Sequence, residues 1–400
     1  MNKTEWKKVK LGEIAKIGAG QSAPKYDADF GNQGLPFIRA GYLEKLVSNI
    51  SENSFPKISV DIASKYKLKK YPSESVIFAK SGMSATLNRI YKLKNESYIV
   101  SHLAIIEPNH TLCNSDFLKF LLFWENPSNL IKDSAYPSIS LSDINDWDIF
   151  IPPINHQRHI AATLDKANEL IALRKKQLKE LDALAEAVFY DMFGDPTKNE
   201  KEWKCIKMES GLAVYPQNGL YKPSSCYVEK GGTPILRIDA FYDGKVTDWS
   251  SLKRLSCSDK ELKSYHLNEN DIVINRVNSI EYLGKCALIR GLHEITVFES
   301  NMMRFRMNSE ILDTRFIVHL LCSKFIYNQI IKHAKKAVNQ ASINQKDVLD
   351  FDILLPPLSL QSHFATIIEK IEEQKAQVRK SLQESEDLFQ RLMQDLFKPD

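Results

Sequence analysis

The chain has 400 residues, 43% of them hydrophobic and 26% charged, with a formal net charge of +4; that length suits two or three domains, each able to bury its own core. Its longest apolar runs, such as FLKFLLFW at 117–124, are far too short to cross a bilayer, and the opening MNKTEWKKVKLGEI lacks the apolar core of a secretion signal. The expectation is a cytoplasmic protein with no membrane partner, whose mild basicity permits a nucleic-acid ligand only if the charge is clustered.

The first element is EWKKVKLGEI at 5–14, and it returns as EWKCIKMESG at 202–211. From there every feature recurs in the same order. LPFIRAG (35–41) answers to TPILRID (233–239), and ESVIFAK (74–80) to NDIVINR (270–276), both short apolar strands ending in a cation. VSHLAII (100–106) answers to ESNMMRF (299–305), and the apolar helix-like run from Phe117 to that from Phe316. PSISLSDINDWDIFIPP (137–153) answers to ASINQKDVLDFDILLPP (341–357), while the offset drifts only from 196 to 204. So long a period indicates a duplicated domain rather than a solenoid. Each half reads as many short β-branched or aromatic strands, punctuated by Gly, Pro, Asn and Ser, followed by a helix. The fold class is therefore α+β, mostly β with short helices.

A different kind of segment follows each proline pair. Pro152-Pro153 and Pro356-Pro357 end a strand, and Asn155 and Ser359 are expected as N-caps of long helices. The apolar positions of the first are Leu164, Ala167, Ile171, Leu178, Leu181, Ala185, Val188 and Met192, interrupted at Arg174. Those of the second are Ile368, Ile371, Val378, Leu382, Phe389, Leu392 and Leu396, interrupted at Lys375 and Ser385. Such a heptad seam predicts helices that wrap on each other, with Gly194 and Pro196 ending the first. Pseudo-two-fold duplication would make the pair antiparallel, each rod carrying a globule near one end, as in a dumbbell. The expected boundaries are 1–150 and 198–354 for the two globules, and 151–197 and 355–400 for the two spacer helices.

In this order of elements, in IPPINHQRHIAATLDKANELIALRKKQLKELDALAEAVFYDMFGDP (151–196) and in INRVNSIEYLGKCALI (274–289), the chain resembles the specificity subunit of a type I restriction-modification system. The resemblance covers essentially the full length. It implies two target-recognition domains, each reading half of a split double-stranded DNA sequence. The helices would set the gap and dock methyltransferase and restriction subunits. It implies no catalysis in this chain, with S-adenosylmethionine, ATP and Mg used by the partners. Because the two globules have diverged, the target should be asymmetric and bipartite.

Bases are discriminated by Arg or Lys on guanine and by Asn or Gln on adenine, whereas phosphates accept any cation or polar donor. The loops after the matched strands offer Lys80 and Ser81 in the first half, and Arg276, Asn278 and Ser279 in the second. The early turns GAGQSAPKY and PQNGLYKPSS offer Gln21, Lys25, Gln217, Asn218, Tyr221 and Lys222. Arg39 and Arg237 recur at one aligned place, which favours a fold or phosphate role for them over base reading.

Other signals have plainer readings. GAG at 18–20 lacks the spacing of a dinucleotide site, and Asp195 with EWK at 202–204 falls at a linker rather than in a nuclease cluster. Cys113, Cys205, Cys226, Cys257, Cys286 and Cys322 form neither zinc-ligand nor disulfide spacing, so reduced thiols and no metal site are expected. The nine histidines, including His159 and His363 on the helices, show no ligand spacing, and coil packing or partner contact is expected of that pair. There is no amino-methyltransferase NPPY or DPPY tetrapeptide and no Walker loop. Two rivals remain: the specificity module of a fused restriction enzyme or methyltransferase, and a coiled-coil adaptor with no nucleic-acid role.

Overall fold

A computed structural model describes residues 6–338 and 340–398, so Glu5 of the first repeat motif lies outside the described residues. The chain divides into two compact units, Met1–Lys176 with Arg379–Asp400, and Gln177–Val378. Each unit thus owns one globule and a segment of each long helix. None of the helices among the described residues is long and apolar enough to cross a membrane.

In the first unit, Val76–Ala79 is buried at every position because it is flanked on both edges. Its antiparallel sheet runs in the order Ala15–Ala19, Leu103–Pro108, Val76–Ala79 and Tyr91–Lys92. A second sheet orders Lys57–Ile58, Leu35–Ile38, Ser97–Ile99 and Lys70–Tyr71, the middle pair being parallel. The apolar run from Phe117 forms the helix Ser115–Glu125, capped by the Asn114 side chain, which accepts from the N–H of Phe117.

The second unit repeats this plan with additions. Ile272–Asn275, again wholly buried, lies within the order Leu212–Asn218, Met302–Met307, Ile272–Asn275, Cys286–Leu288, Gly244–Val246 and Phe241–Tyr242. Thr233–Leu236 pairs in parallel with Val297–Phe298, matching the parallel pair of the first unit. Thr314–Leu321 is the equivalent helix, capped by Asp313. Gly20 and Gly219 are also equivalents: a Cβ on either would lie 2.2 Å from a backbone carbonyl oxygen, of Ile99 or Val100 in the first unit and of Glu299 in the second. The second glycine of GAG, Gly20, is therefore required by a close backbone approach.

In each unit the first strand of the globule pairs with its last, Lys7–Lys10 with Asp148–Ile151 and Lys204–Lys207 with Asp352–Leu355. The prolines then start the helices Ile154–Phe193 and Leu358–Phe397, each 40 residues and so about 60 Å long. The N-cap expectation is corrected by two residues: the carbonyls of Pro153 and Pro357 accept from Gln157 and Gln361, so Asn155 and Ser359 already lie inside the helix. Two buried glutamines do the anchoring instead. The Gln157 amide donates to Pro152 and Leu112 carbonyls and accepts from the Asn114 N–H. Gln361 does the same with Pro356, Ile311 and Asp313. Phe193 ends the first helix, and Gly194 follows at φ +75°, the left-handed conformation that glycine adopts without strain.

Within each unit the two helical segments run antiparallel. In the first, Lys175 pairs with Glu386 at 2.8 Å, while Ile160, Leu164 and Ala167 share a core with Phe389, Met393 and Phe397. In the second, Asp182 pairs with Lys375, and Phe193 packs 5.3 Å from Phe364. The segments also complete the globular cores: Phe397 stacks on Phe117 at 5.6 Å, and Phe193 tilts against Phe316 at 4.7 Å. Each buried phenylalanine contributes about 2–3 kcal/mol.

All the seam residues expected from the heptads are buried or half-buried: Leu164, Ala167, Ile171, Leu178, Leu181, Ala185, Val188, Met192, Ile368, Ile371, Val378, Leu382, Phe389, Leu392 and Leu396. Phe189, Phe193, Phe364, Met393 and Phe397 are also buried but lie off the expected stripe, because the helix ends meet a globule as well as a helix. Lys375, expected as an interruption, is itself buried, paired with Asp182 and with Glu372 at 2.8 Å. His159 and His363 are exposed, so coil packing does not hold for them.

Candidate nucleic-acid interface

The central strand of each unit ends at a corner built the same way twice. After Val76–Ala79, the Lys80 N–H donates to the His102 carbonyl (2.9 Å) and its own carbonyl accepts from Ile139 (2.8 Å). After Ile272–Asn275, the Arg276 N–H donates to the Asn301 carbonyl (2.8 Å) and its carbonyl accepts from Ile343 (3.0 Å). The next residues pair onto the loop that precedes the last short helix, Ser81 with Ser138 in one unit and Val277–Asn278 with Ala341–Ser342 in the other. Backbone geometry thus makes Lys80 and Arg276 equivalent, and leaves their side chains to differ.

The surroundings do differ. In the first unit Ser81 Oγ lies 2.7 Å from His102 Nδ1. In the second, Arg276 lines an open cleft of about 380 Å³ together with Asn218, Asn344, Gln345 and Lys346. One terminal guanidinium nitrogen donates to the Ser300 carbonyl at 3.1 Å, and the buried Nε has no hydrogen-bond partner. Asn344 caps the helix Gln345–Leu349, accepting from the N–H groups of Lys346 and Asp347. The corresponding positions of the first unit are Ala19, Lys80, Ser140, Leu141 and Ser142, where Ser140 is likewise the cap. No carboxylate is among the residues lining the cleft of the second unit.

Several expected residues are occupied within the fold. The Gln21 amide donates to the Lys67 carbonyl and accepts from Lys69 N–H. Gln217 donates to the Ser264 carbonyl at 2.9 Å and accepts from Arg304 at 2.7 Å. Lys222 lies 2.7 Å from Glu261. Hydrogen bonds from Lys222 and Ser258 pull that carboxyl down to about 2. Arg39 sits 4.7 Å over the Phe30 ring. Arg237 sits 5.8 Å over Tyr227 with Asp239 at 3.6 Å. Burial opposes the Arg237 charge, but Glu299, Tyr227 and Asp239 more than offset it. Asn278 Oδ1 accepts from the Ser279 N–H, and Ser279 precedes the turn Ile280–Tyr282. Lys25 is exposed and Tyr221 is 78% exposed.

Sequence reasoning missed the loop that docks onto each corner. Its tips expose Tyr136 (82%) and Val338 (98%), and the second carries the exposed Lys335 and Lys336. Asn344, Gln345 and Lys346 were also missed, although the repeat itself holds the signal: SLS at 140–142 faces NQK at 344–346. The segment 274–289 is pinned by Lys285, whose ammonium lies 3.8 Å over Tyr242 and donates to the Ile238 carbonyl at 2.6 Å. Among the described residues no group of three or more His, Cys, Asp or Glu is placed to hold a metal ion.

The profile of the type I restriction modification DNA specificity domain matches residues 3–183 and again 200–385. The chain belongs to that family. Among curated relatives it is 24% identical over 357 residues to the type I restriction enzyme EcoKI specificity subunit of Escherichia coli K12, spanning 84% of this chain and 75% of that one. It is 29% identical over 199 residues to the putative MjaX specificity subunit of Methanocaldococcus jannaschii, spanning 49% and 46%. Among solved structures, the type I S subunit of M. genitalium superposes with a TM-score of 0.59 at 14% identity, covering 100% of this chain and 98% of its own. A chain solved in a study of type I R-M complex assembly and conformational transition gives 0.55 at 18% identity, covering 99% and 98%. These superpositions establish the family fold for the whole length: two α+β specificity domains with a long helix after each.

Proposed function

We propose that this chain selects the DNA target of a type I restriction-modification complex, each unit reading one half of an asymmetric bipartite double-stranded sequence. The observation that carries the reading is the twice-built corner with unlike side chains: one scaffold presents Lys80, Ser81 and His102 in the first unit, and Arg276 with Asn218, Gln345 and Lys346 in the second. Matching backbone corners with different donors are what two unlike half-sites require. The long helices hold the interval between half-sites, so that only correctly spaced DNA engages both readers.

Methyltransferase and restriction subunits dock on the helical region and perform the chemistry with S-adenosylmethionine, ATP and Mg. The chain itself is non-catalytic and works in the cytoplasm. A methylation map of DNA from cells expressing the chain with its methyltransferase tests this. The expected result is a split motif of two different halves. Exchanging residues 1–150 for those of a relative should change one half and leave the other. An unsplit motif, or a swap that changes neither half, would refute it.

A further inference from the structure

We infer that Arg276 selects a guanine in the half-site contacted by the second unit, an assignment that rests on the DNA-reading function proposed above. Guanine presents two acceptors, O6 and N7, side by side in the major groove, and a guanidinium meets both with parallel N–H bonds. A lysine offers only a point charge.

Most arginines of this unit already face a carboxylate, Arg304 and Arg306 sharing one. Arg254 lies 2.6 Å from Glu294, Arg306 2.7 Å and Arg304 3.5 Å from Asp271, and Arg315 2.5 Å from Glu369. Arg276 has no carboxylate partner among the described residues; its guanidinium makes one hydrogen bond, to the Ser300 carbonyl. That bond, with the backbone held by Asn301 and Ile343, aims the fork without consuming it. Its buried Nε lacks an acceptor, as do those of Arg237 and Arg304, so any contact to a base falls to the terminal nitrogens.

The neighbours suit a duplex as well. Asn218 and Gln345 carry the amide type that pairs with adenine, and Lys346 adds a cation for phosphate. In the first unit the aligned position is Lys80, flanked by Ser140, Leu141 and Ser142. No guanidinium fork is available at that position, so the bidentate arginine contact belongs to the second unit's corner.

The test uses the full chain assembled with its methyltransferase partner and duplexes carrying the mapped motif. Each base pair of the second half is varied to all four, and each guanine in turn is replaced by 7-deazaguanine. For the wild-type chain one position should accept only guanine, with about 5- to 150-fold preference, and 7-deazaguanine there should weaken binding. Arg276→Lys, which keeps the charge but not the planar fork, should reduce the guanine preference at that position and its sensitivity to the deaza substitution, with the first half unchanged. Lys346→Ala should instead weaken all sequences alike and lower the salt slope by about 1. A wild-type complex indifferent to 7-deazaguanine throughout the second half would overturn the assignment, and so would an Arg276→Lys chain that binds every duplex more weakly with its motif intact. A wild-type complex with no sequence preference would overturn the reading function itself.

Discussion

His319 makes the stability of the second unit depend on pH in a calculable way. Its ring stacks on Phe189 at 5.6 Å and meets the edge of Phe364 at 5.2 Å. Burial in this apolar cluster is the main cause of its depression from 6.5 to about 4, with Glu372 opposing and Lys375 reinforcing the drop. A group whose folded pKa lies below its unfolded value is protonated first in the unfolded chain. Stability is therefore unaffected above pH 6.5 and falls progressively between 6.5 and about 4.

At about 1.4 kcal/mol per unit the loss approaches about 3 kcal/mol, an upper figure because the ring is only half-buried. Denaturant unfolding followed by hydrogen exchange of residues 314–321, at pH 7.5 and 4.5, measures it. The His319→Phe chain should lose up to about 2.5 kcal/mol less than the wild type between those two pH values. Equal losses in both chains would show that the ring is not held neutral by its packing.

Two further outcomes follow from the helices. Phe397→Ala removes a ring that lies 5.6 Å from Phe117 and 6.2 Å from Trp124; it should cost about 3–5 kcal/mol, seen as lost exchange protection over 389–397 and a lowered melting temperature of the first unit. Lys375→Met should be neutral or stabilising by about 1–4 kcal/mol, since an apolar residue of similar volume avoids desolvating a buried ammonium. A loss above about 2 kcal/mol on chemical denaturation would show instead that its pairs with Asp182 and Glu372 are net stabilising.

Much of the architecture was legible because duplication writes it twice. The match of ESVIFAK with NDIVINR located the two buried central strands, and the proline pairs located the helix starts to within one or two residues. The heptad spacing found the seam at Leu164 and Ile368 but passed over Phe189, Phe193 and Phe397. Period alone reports one packing face, and these residues bury against a globule that the period does not describe. The site was less legible. Lys80 and Arg276 were placed at equivalent corners from their strand ends, whereas Gln21 and Gln217, of the right chemical type for bases, turn out to be bonded to nearby backbone or to Arg304.

Composition, order and repetition by themselves determined that the chain is two diverged α+β globules alternating with two amphipathic helices, since hydrophobic period and turn chemistry are local properties. Only the tertiary structure decided which polar side chains remain available. Whether an arginine reads a ligand or neutralises an aspartate depends on what lies within about 4 Å of it, and residues distant in sequence, such as Asn218, Arg276 and Lys346, are brought to one cleft by strand order and by the docking of the loop before the helix Gln345–Leu349.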